Sequence, residues 1–220
     1  MINGVIFDAD GTLIDSMGIW DEVGFRYLKS LNINAEPTLS KTLFDMSLQE
    51  GCEYIKNHYN LNCTASEVES GMLSIISRFY KEEVQLKKGV KDFLEELNNR
   101  GISMCVATSS DKELLKAAFL RLGIYKYFSR IFTCKEFGTN KREPYIYQQA
   151  ADYMNTVPNK TVVIEDVLFA VKSAKSAGFI TVAVSDNASL NDKSEIIATA
   201  DCFMQDFTDF TAFWNFVSEK

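Results

Sequence analysis

Four short segments of this 220-residue chain carry side chains suited to chemistry: Asp8-Ala9-Asp10-Gly11-Thr12, Thr108-Ser109-Ser110, Lys141 within Gly138-Thr139-Asn140-Lys141-Arg142-Glu143-Pro144, and Glu165-Asp166. Asp8 and Asp10 follow the apolar run Val5-Ile6-Phe7. Two carboxylates two residues apart share a pocket only if the chain leaves extended geometry, and Gly11 permits that turn. Carboxylates held so close need a compensating cation. Thr108 to Ser110 stand where an apolar run gives way to a helical pattern, so hydroxyls and free helix-start amides there can bind an oxyanion. With a single histidine, His58, the chain lacks material for Ser-His-Asp or Cys-His catalysis and for a histidine-rich zinc site. The chemistry must run on carboxylates, hydroxyls and lysine.

Composition narrows the partners. Hydrophobic residues at 46% and charged residues at 24% are ordinary globular values and exclude a mostly disordered or fibrous chain. Thirty acidic against 23 basic residues give a net charge of -7, which argues against nucleic acid as a partner. A phosphate must therefore be met by local positive charge, either a metal ion or a well-placed lysine. Five cysteines, an odd number with no CxxC pair, read as buried reduced thiols. The start lacks a basic segment and no stretch approaches 18 apolar residues, so the expectation is a cytoplasmic protein that does not enter a membrane. A monomer is the default for this length.

The elements that must position these residues follow from hydrophobic patterning. Val5 to Phe7, Ile102 to Ala107, Thr161 to Ile164 and Thr181 to Val184 read as strands separated by helical patterns, which implies a parallel sheet between helices. Lys112 to Leu122 reads as a helix capped by Ser110 with Glu113 and stopped by Gly123, and Leu168 to Ala177 as another, stopped by Gly178. From Ser16 to Val84 every strong pattern is helical: Trp20, Val23, Tyr27, Leu28 and Leu31 fall on one face, and Val68, Met72, Ile75 and Phe79 on another. That insert is far longer than a crossover needs. The expected organisation is a discontinuous core of 1–15 and 85–220 with a helical cap domain of 16–84. The four segments then lie at the carboxyl ends of parallel strands, where open α/β sheets bind ligands.

In order and placement, Asp8-x-Asp10-Gly11-Thr12-Leu13 with Asp15-Ser16, then Thr108, Lys141 and Glu165-Asp166, resemble the four motifs of the haloacid dehalogenase-like hydrolases. The resemblance covers essentially the whole chain, and is greater to the helical-cap phosphatase and β-phosphoglucomutase branch. It implies an α/β fold with a Rossmann-like parallel core and a phosphatase acting on a small phosphorylated metabolite. Asp8 would be the nucleophile that forms an aspartyl-phosphate, and Asp10 would protonate the leaving oxygen and later deprotonate water. Asp8, the Asp10 carbonyl and Asp166 would hold Mg2+, with Glu165 a ligand or its neighbour. Thr108, the Ser109 amide and Lys141 would hold phosphoryl oxygens.

The resemblance also leaves alternatives. Aspartate at position 10 points to a phosphate ester, whereas mutases of the branch carry a histidine where this chain has Trp20. Hydrolysis is thereby favoured, with a phosphomutase as the runner-up and an idle phosphate-ligand sensor behind it. Val167 and Ala170 depart from the usual serine and glycine of the fourth motif. Read without the family, Lys141 beside Arg142 is a solvated loop charge, Ser110 a helix cap, Asp15 a structural partner at the hinge and His58 a surface residue of the cap.

Overall fold

Six strands make one all-parallel sheet in the order β3-β2-β1-β4-β5-β6 in the computed structural model, which describes residues 1–43 and 46–220. They are β1 (Gly4–Phe7), β2 (Ser103–Thr108), β3 (Arg130–Thr133), β4 (Thr161–Glu165), β5 (Ile180–Val184) and β6 (Cys202–Met204). β1, β4 and β5 are buried at every position, as continuous apolar runs covered on both faces should be. β3 and β6 are strands that the hydrophobic pattern leaves out; both are short edge strands, with Arg130 opening the first.

The chain divides into two units, Met1–Ser16 with Val84–Lys220, and Met17–Glu83. In the first, alternate residues of β1 serve opposite layers. The ring of Phe7 meets Phe93 and Phe128 edge-on at 6.5 and 5.9 Å. Phe93 belongs to the helix Val90–Asn99, whose buried face is Val90, Phe93, Leu94 and Leu97. Ile6 packs on the other side with Cys105, Val163 and the helix Tyr145–Tyr153 through Ile146, Tyr147, Ala150 and Ala151.

The helix Lys112–Leu122 stops at Gly123 in the left-handed region, as its sequence predicts. Its cap differs from the expected one: Asp111, not Ser110, accepts the amides of Glu113 and Leu114 at 2.9 and 3.1 Å. Both residues are good caps, but the helix starts one residue later than the Ser110-Glu113 pattern requires, and a cap must stand two or three residues before the amides that it accepts. Ser110 is thereby left for another partner. The helix Leu168–Ser176 runs as expected to Ala177 and Gly178.

The Met17–Glu83 unit is helical: Gly18–Ser30, Leu39–Leu43, Leu48–His58 and Ala65–Arg78, the last continued by a π-helical turn over Phe79–Glu83. Capping boxes at Ser47 with Glu50 and at Thr64 with Glu67 open the third and fourth. The first helix buries Ile19, Val23, Gly24, Tyr27 and Leu28. Trp20 and Leu31 are instead 48% and 44% exposed, because the apolar stripe turns on Ile19 and Leu31 lies beyond the last helical residue. Val68, Met72 and Ile75 are buried as expected, joined by Ile76 and Tyr80. Phe79 is only half-buried, and the Arg26 guanidinium lies 5.4 Å from its ring centre. Gly71 lets the ring of Tyr27 lie against the fourth helix, where a Cβ would come within 2.3 Å of it. His58 sits beside Glu36 at 3.0 Å and stacks on Tyr54.

None of the five cysteines is in a disulfide; Cys52, Cys105 and Cys134 are buried, while Cys63 and Cys202 are half-buried. Among the described residues no helix is long and apolar enough to cross a membrane.

Candidate active site

Strand register brings the segments at Asp8, Thr108 and Glu165 to one end of the sheet, and Lys141 joins them through its ion pairs. Phe7 pairs with Val106 of β2 on one side and Ile164 of β4 on the other, and the Asp8 amide donates to the Ile164 carbonyl at 2.9 Å. Asp8 therefore leaves β1 level with Glu165, at the strand whose two neighbours lead to opposite halves of the sheet. Such a switch point opens a crevice in a parallel α/β fold.

After Asp8 the chain turns sharply. The amides of Leu13 and Ile14 both donate to the Ala9 carbonyl, at 2.9 and 3.0 Å, and Gly11 takes a φ of 81°. Ile14 then bridges to Leu86, and the Lys87 amide donates to the Leu13 carbonyl. The Lys87 ammonium ties the turn to the end of β5, donating to the carbonyls of Gly11 and Ser185 at 2.7 Å each and to Asp186 at 2.8 Å. Asp15 is exposed and its backbone amide donates to the Gln85 carbonyl. A Cβ on Gly11 would fall 2.4 Å from Asp166 Oδ2, so this position needs glycine both for its φ and for its neighbour. Gly11→Ala is expected to lower the melting temperature by at least roughly 2–8 °C, from the 1–2 kcal/mol cost of the left-handed backbone alone. Thermal denaturation followed by circular dichroism checks it, and an unchanged midpoint would contradict the close packing.

The expected residues meet as follows. Lys141, read without its family as a solvated charge, is buried and paired with Asp8 Oδ1 and, at 2.7 Å, with Glu165 Oε1. Asp8, Glu165 and Asp166 each offer an oxygen within 4.8 Å of the others. Thr12 donates to Asp166 Oδ1 at 3.3 Å, while Glu165 Oε2 and Asp166 Oδ2 are buried without a hydrogen-bond partner. The Asp10 carboxylate is not one of that group of three. Ser16 and Ser110 donate to its two oxygens at 2.6 Å each. Thr108 is buried, its hydroxyl accepting the Ser110 amide at 3.0 Å; Ser109 is exposed, its hydroxyl 3.5 Å from Cys134 Sγ.

Among the described residues, Ser16, Ser110 and Tyr147, whose phenol donates to Glu165 Oε1 at 2.7 Å, join the site without having been assigned a role in it from the sequence, as do Lys87 and Asp186 behind the turn. Ser110 reads as a helix cap within the oxyanion-binding segment, not as a partner of Asp10, and its contact with Asp10 spans 100 residues. Tyr147 reads as helix core, which it also is.

The electrostatics call for a cation. Three carboxylates face one ammonium, so full ionisation leaves two negative charges in a buried space. Burial pushes the Asp8 carboxyl up to about 7, with Lys141 opposing and Glu165 and Asp10 adding to the rise. Burial likewise drives Asp166 well above the usual carboxylate range, reinforced by Asp8, Glu165 and Asp186. Burial alone would lower Lys141, but Asp8 and Glu165 outweigh it and hold the ammonium above its ordinary value. Burial first, and then the neighbouring carboxylates, favour the protonated forms of Asp8 and Asp166. One divalent cation would balance the deficit, and all-oxygen donors with two unpartnered atoms suit a hard ion. The donor set therefore fits the ion that the motifs imply.

Sheet order and the polar cluster at its switch point define a Rossmann-like α/β protein. The chain belongs to the haloacid dehalogenase-like hydrolases, whose family model matches residues 5–184. It is 27% identical over 177 residues to the phosphorylated carbohydrates phosphatase of Thermotoga maritima, covering 80% of this chain and 82% of that one. It is 24% identical over 216 residues to hexitol phosphatase B of Escherichia coli, covering 96% and 95%. Among solved structures, a candidate β-phosphoglucomutase of Thermotoga maritima superposes with a TM-score of 0.86 at 25% identity, over 97% of this chain and 99% of that one.

Proposed function

We propose that this protein is a divalent-metal-dependent phosphatase of a small phosphorylated carbohydrate or related metabolite, working through a phosphorylated Asp8. The observation that carries it is the buried Asp8 carboxylate, joined to Lys141 and set against Glu165 and Asp166 with two oxygens unpartnered. The substrate class is supported by the relatives named for phosphorylated carbohydrates and hexitols.

Asp8 is assigned the attack on phosphorus, which divides the displacement into two steps, each easier than direct attack by water. Its Oδ1 is bonded to Lys141, so Oδ2 is the oxygen left to attack. Lys141, with Thr108 and the Ser109 amide, would bind the phosphoryl oxygens and stabilise charge as it shifts in transfer. Asp8, Asp166 and the Asp10 carbonyl, with Glu165 beside them, would hold Mg2+, which when bound supplies charge neutralisation at the transferring phosphate. Asp10, fixed by Ser16 and Ser110, is assigned proton transfer to the leaving oxygen and then from the attacking water. Selection of the leaving group is assigned to the helical unit Met17–Glu83, the part that resembles a cap.

Phosphate release from a panel of sugar and hexitol phosphates, with Mg2+ and with EDTA, tests the proposal. Mg2+-dependent release is expected. Binding without release would mean a sensor, and it would overturn the assignment. The likeness to a candidate β-phosphoglucomutase favours a second reading, phosphoryl return to the sugar. Trp20, where the mutase branch carries histidine, weighs against it. Glucose 1-phosphate separates the two, giving free phosphate with a phosphatase and the 6-isomer with a mutase.

Asp10→Asn is expected to cost about 10²-fold or more in turnover of an alkyl phosphate, and roughly tenfold with p-nitrophenyl phosphate, whose leaving group needs no proton. Equal losses on the two substrates would remove Asp10 from the proton-transfer role.

A further inference from the structure

Tyr147 is fully buried in the helix Tyr145–Tyr153, where most of its ring is served by packing alone, with Phe179 edge-on at 6.2 Å. Phenylalanine would meet that need. Its hydroxyl has a more specific place: it donates to Glu165 Oε1 at 2.7 Å, the oxygen that also accepts from Lys141 Nζ at 2.7 Å. Two donors, one from the helix and one from the turn before it, hold one carboxylate oxygen. Rotation about the terminal bond of the glutamate is otherwise soft. Its other oxygen, Oε2, is buried and without a hydrogen-bond partner, on the residue that shares the three-carboxylate group with Asp8 and Asp166. Lys141 is shared in the same chain of contacts, reaching from Glu165 to Asp8.

We propose that Tyr147 is a positioning residue that, by holding Glu165 Oε1 together with Lys141, directs the carboxylate toward a divalent cation and sets the affinity of the group for it. The inference rests on the metal-dependent phosphatase reading above. Partners that orient metal ligands commonly contribute about 10- to 100-fold in metal affinity or activity. Without the phenol, Glu165 keeps Lys141 but loses its second restraint, and the carboxylate can turn.

The test is titration calorimetry of Mg2+ into the purified full-length protein, its Tyr147→Phe and Glu165→Gln variants and the double variant. Y147F is expected to fold, with its far-ultraviolet circular dichroism unchanged, and to bind Mg2+ about tenfold or more weakly. Its phosphate release should recover as Mg2+ is raised, which a general loosening of the core would not produce. In the E165Q background the further change Y147F is expected to leave the Mg2+ Kd unchanged, since the tyrosine acts through Glu165. Equal Mg2+ affinity in Y147F and the parent would overturn the positioning role while leaving the phosphatase reading intact. A full tenfold loss on adding Y147F to E165Q would overturn the route through Glu165. No Mg2+ binding by the parent would bring down the metal-dependent reading and this inference with it.

Discussion

Asp8→Asn is expected to lower phosphate release by about 10⁴-fold or more while the protein stays folded, since a missing nucleophile cannot be replaced by the groups that served it. Activity on p-nitrophenyl phosphate measures the loss, and more than a few per cent retained would end the nucleophile assignment. The variant has a second signature in stability. Burial raises the Asp8 carboxyl from 3.8 to about 7, against the pull of Lys141. Between those values the folded chain keeps a proton that the unfolded chain has released, so ionising Asp8 lowers stability as the pH rises through that window. Above it the full cost is present, and asparagine removes it while its amide oxygen can still accept from Lys141. Melted in EDTA at pH 8, the variant should therefore unfold no lower than the parent. With Mg2+ added, the parent should gain more. A large drop in the metal-free midpoint of the variant would make Asp8 a structural residue first.

The residues of this site were legible where chemistry and local pattern coincide, and obscure where only tertiary contact gives a side chain its role. Asp8, Thr108 and Glu165-Asp166 each end an apolar strand, so the pattern that finds the strand finds the residue. β3 and β6, at three or four residues, are too short to print a pattern. Ser110 carries a strong local signal for capping, and the signal misleads because Asp111 beside it competes for the same amides and wins. The place that Ser110 takes, on Asp10, depends on two strands pairing across the sheet. Trp20 shows a related ambiguity: several stripes of one helix are apolar, and which one is buried depends on what packs against it. Lys141 is the sharpest case. A lysine beside an arginine in a polar loop reads as solvated, and burial becomes tolerable only because Asp8, 133 residues away, and Glu165, 24 away, arrive at the same point.

Removing that lysine tests whether it is there for charge or for chemistry. Lys141→Met leaves Asp8 and Glu165 buried without their ammonium, and breaking a buried pair from one side costs about 3–5 kcal/mol. At about 2–4 °C per kcal/mol for a chain of this size, the midpoint in EDTA should fall by roughly 6–20 °C. The sign is fixed by the direction of the shift: Lys141 is held above its ordinary 10.5, so its contribution is present in full below that pH and is lost only as the pH climbs through the raised value. Mg2+ should restore much of the lost stability, because a divalent cation supplies positive charge to the same carboxylates. It should not restore turnover, expected to be down about 10³-fold, because the ammonium is also assigned to the phosphoryl oxygens during transfer. Arginine is not expected to rescue either property, since a planar fork does not fit a buried space built around a point charge. Thermal melts with and without Mg2+, alongside kcat/KM on a sugar phosphate, separate the two roles. Stability and activity recovering together in Mg2+ would reduce Lys141 to a counter-ion and leave Thr108 and the Ser109 amide as the phosphoryl ligands.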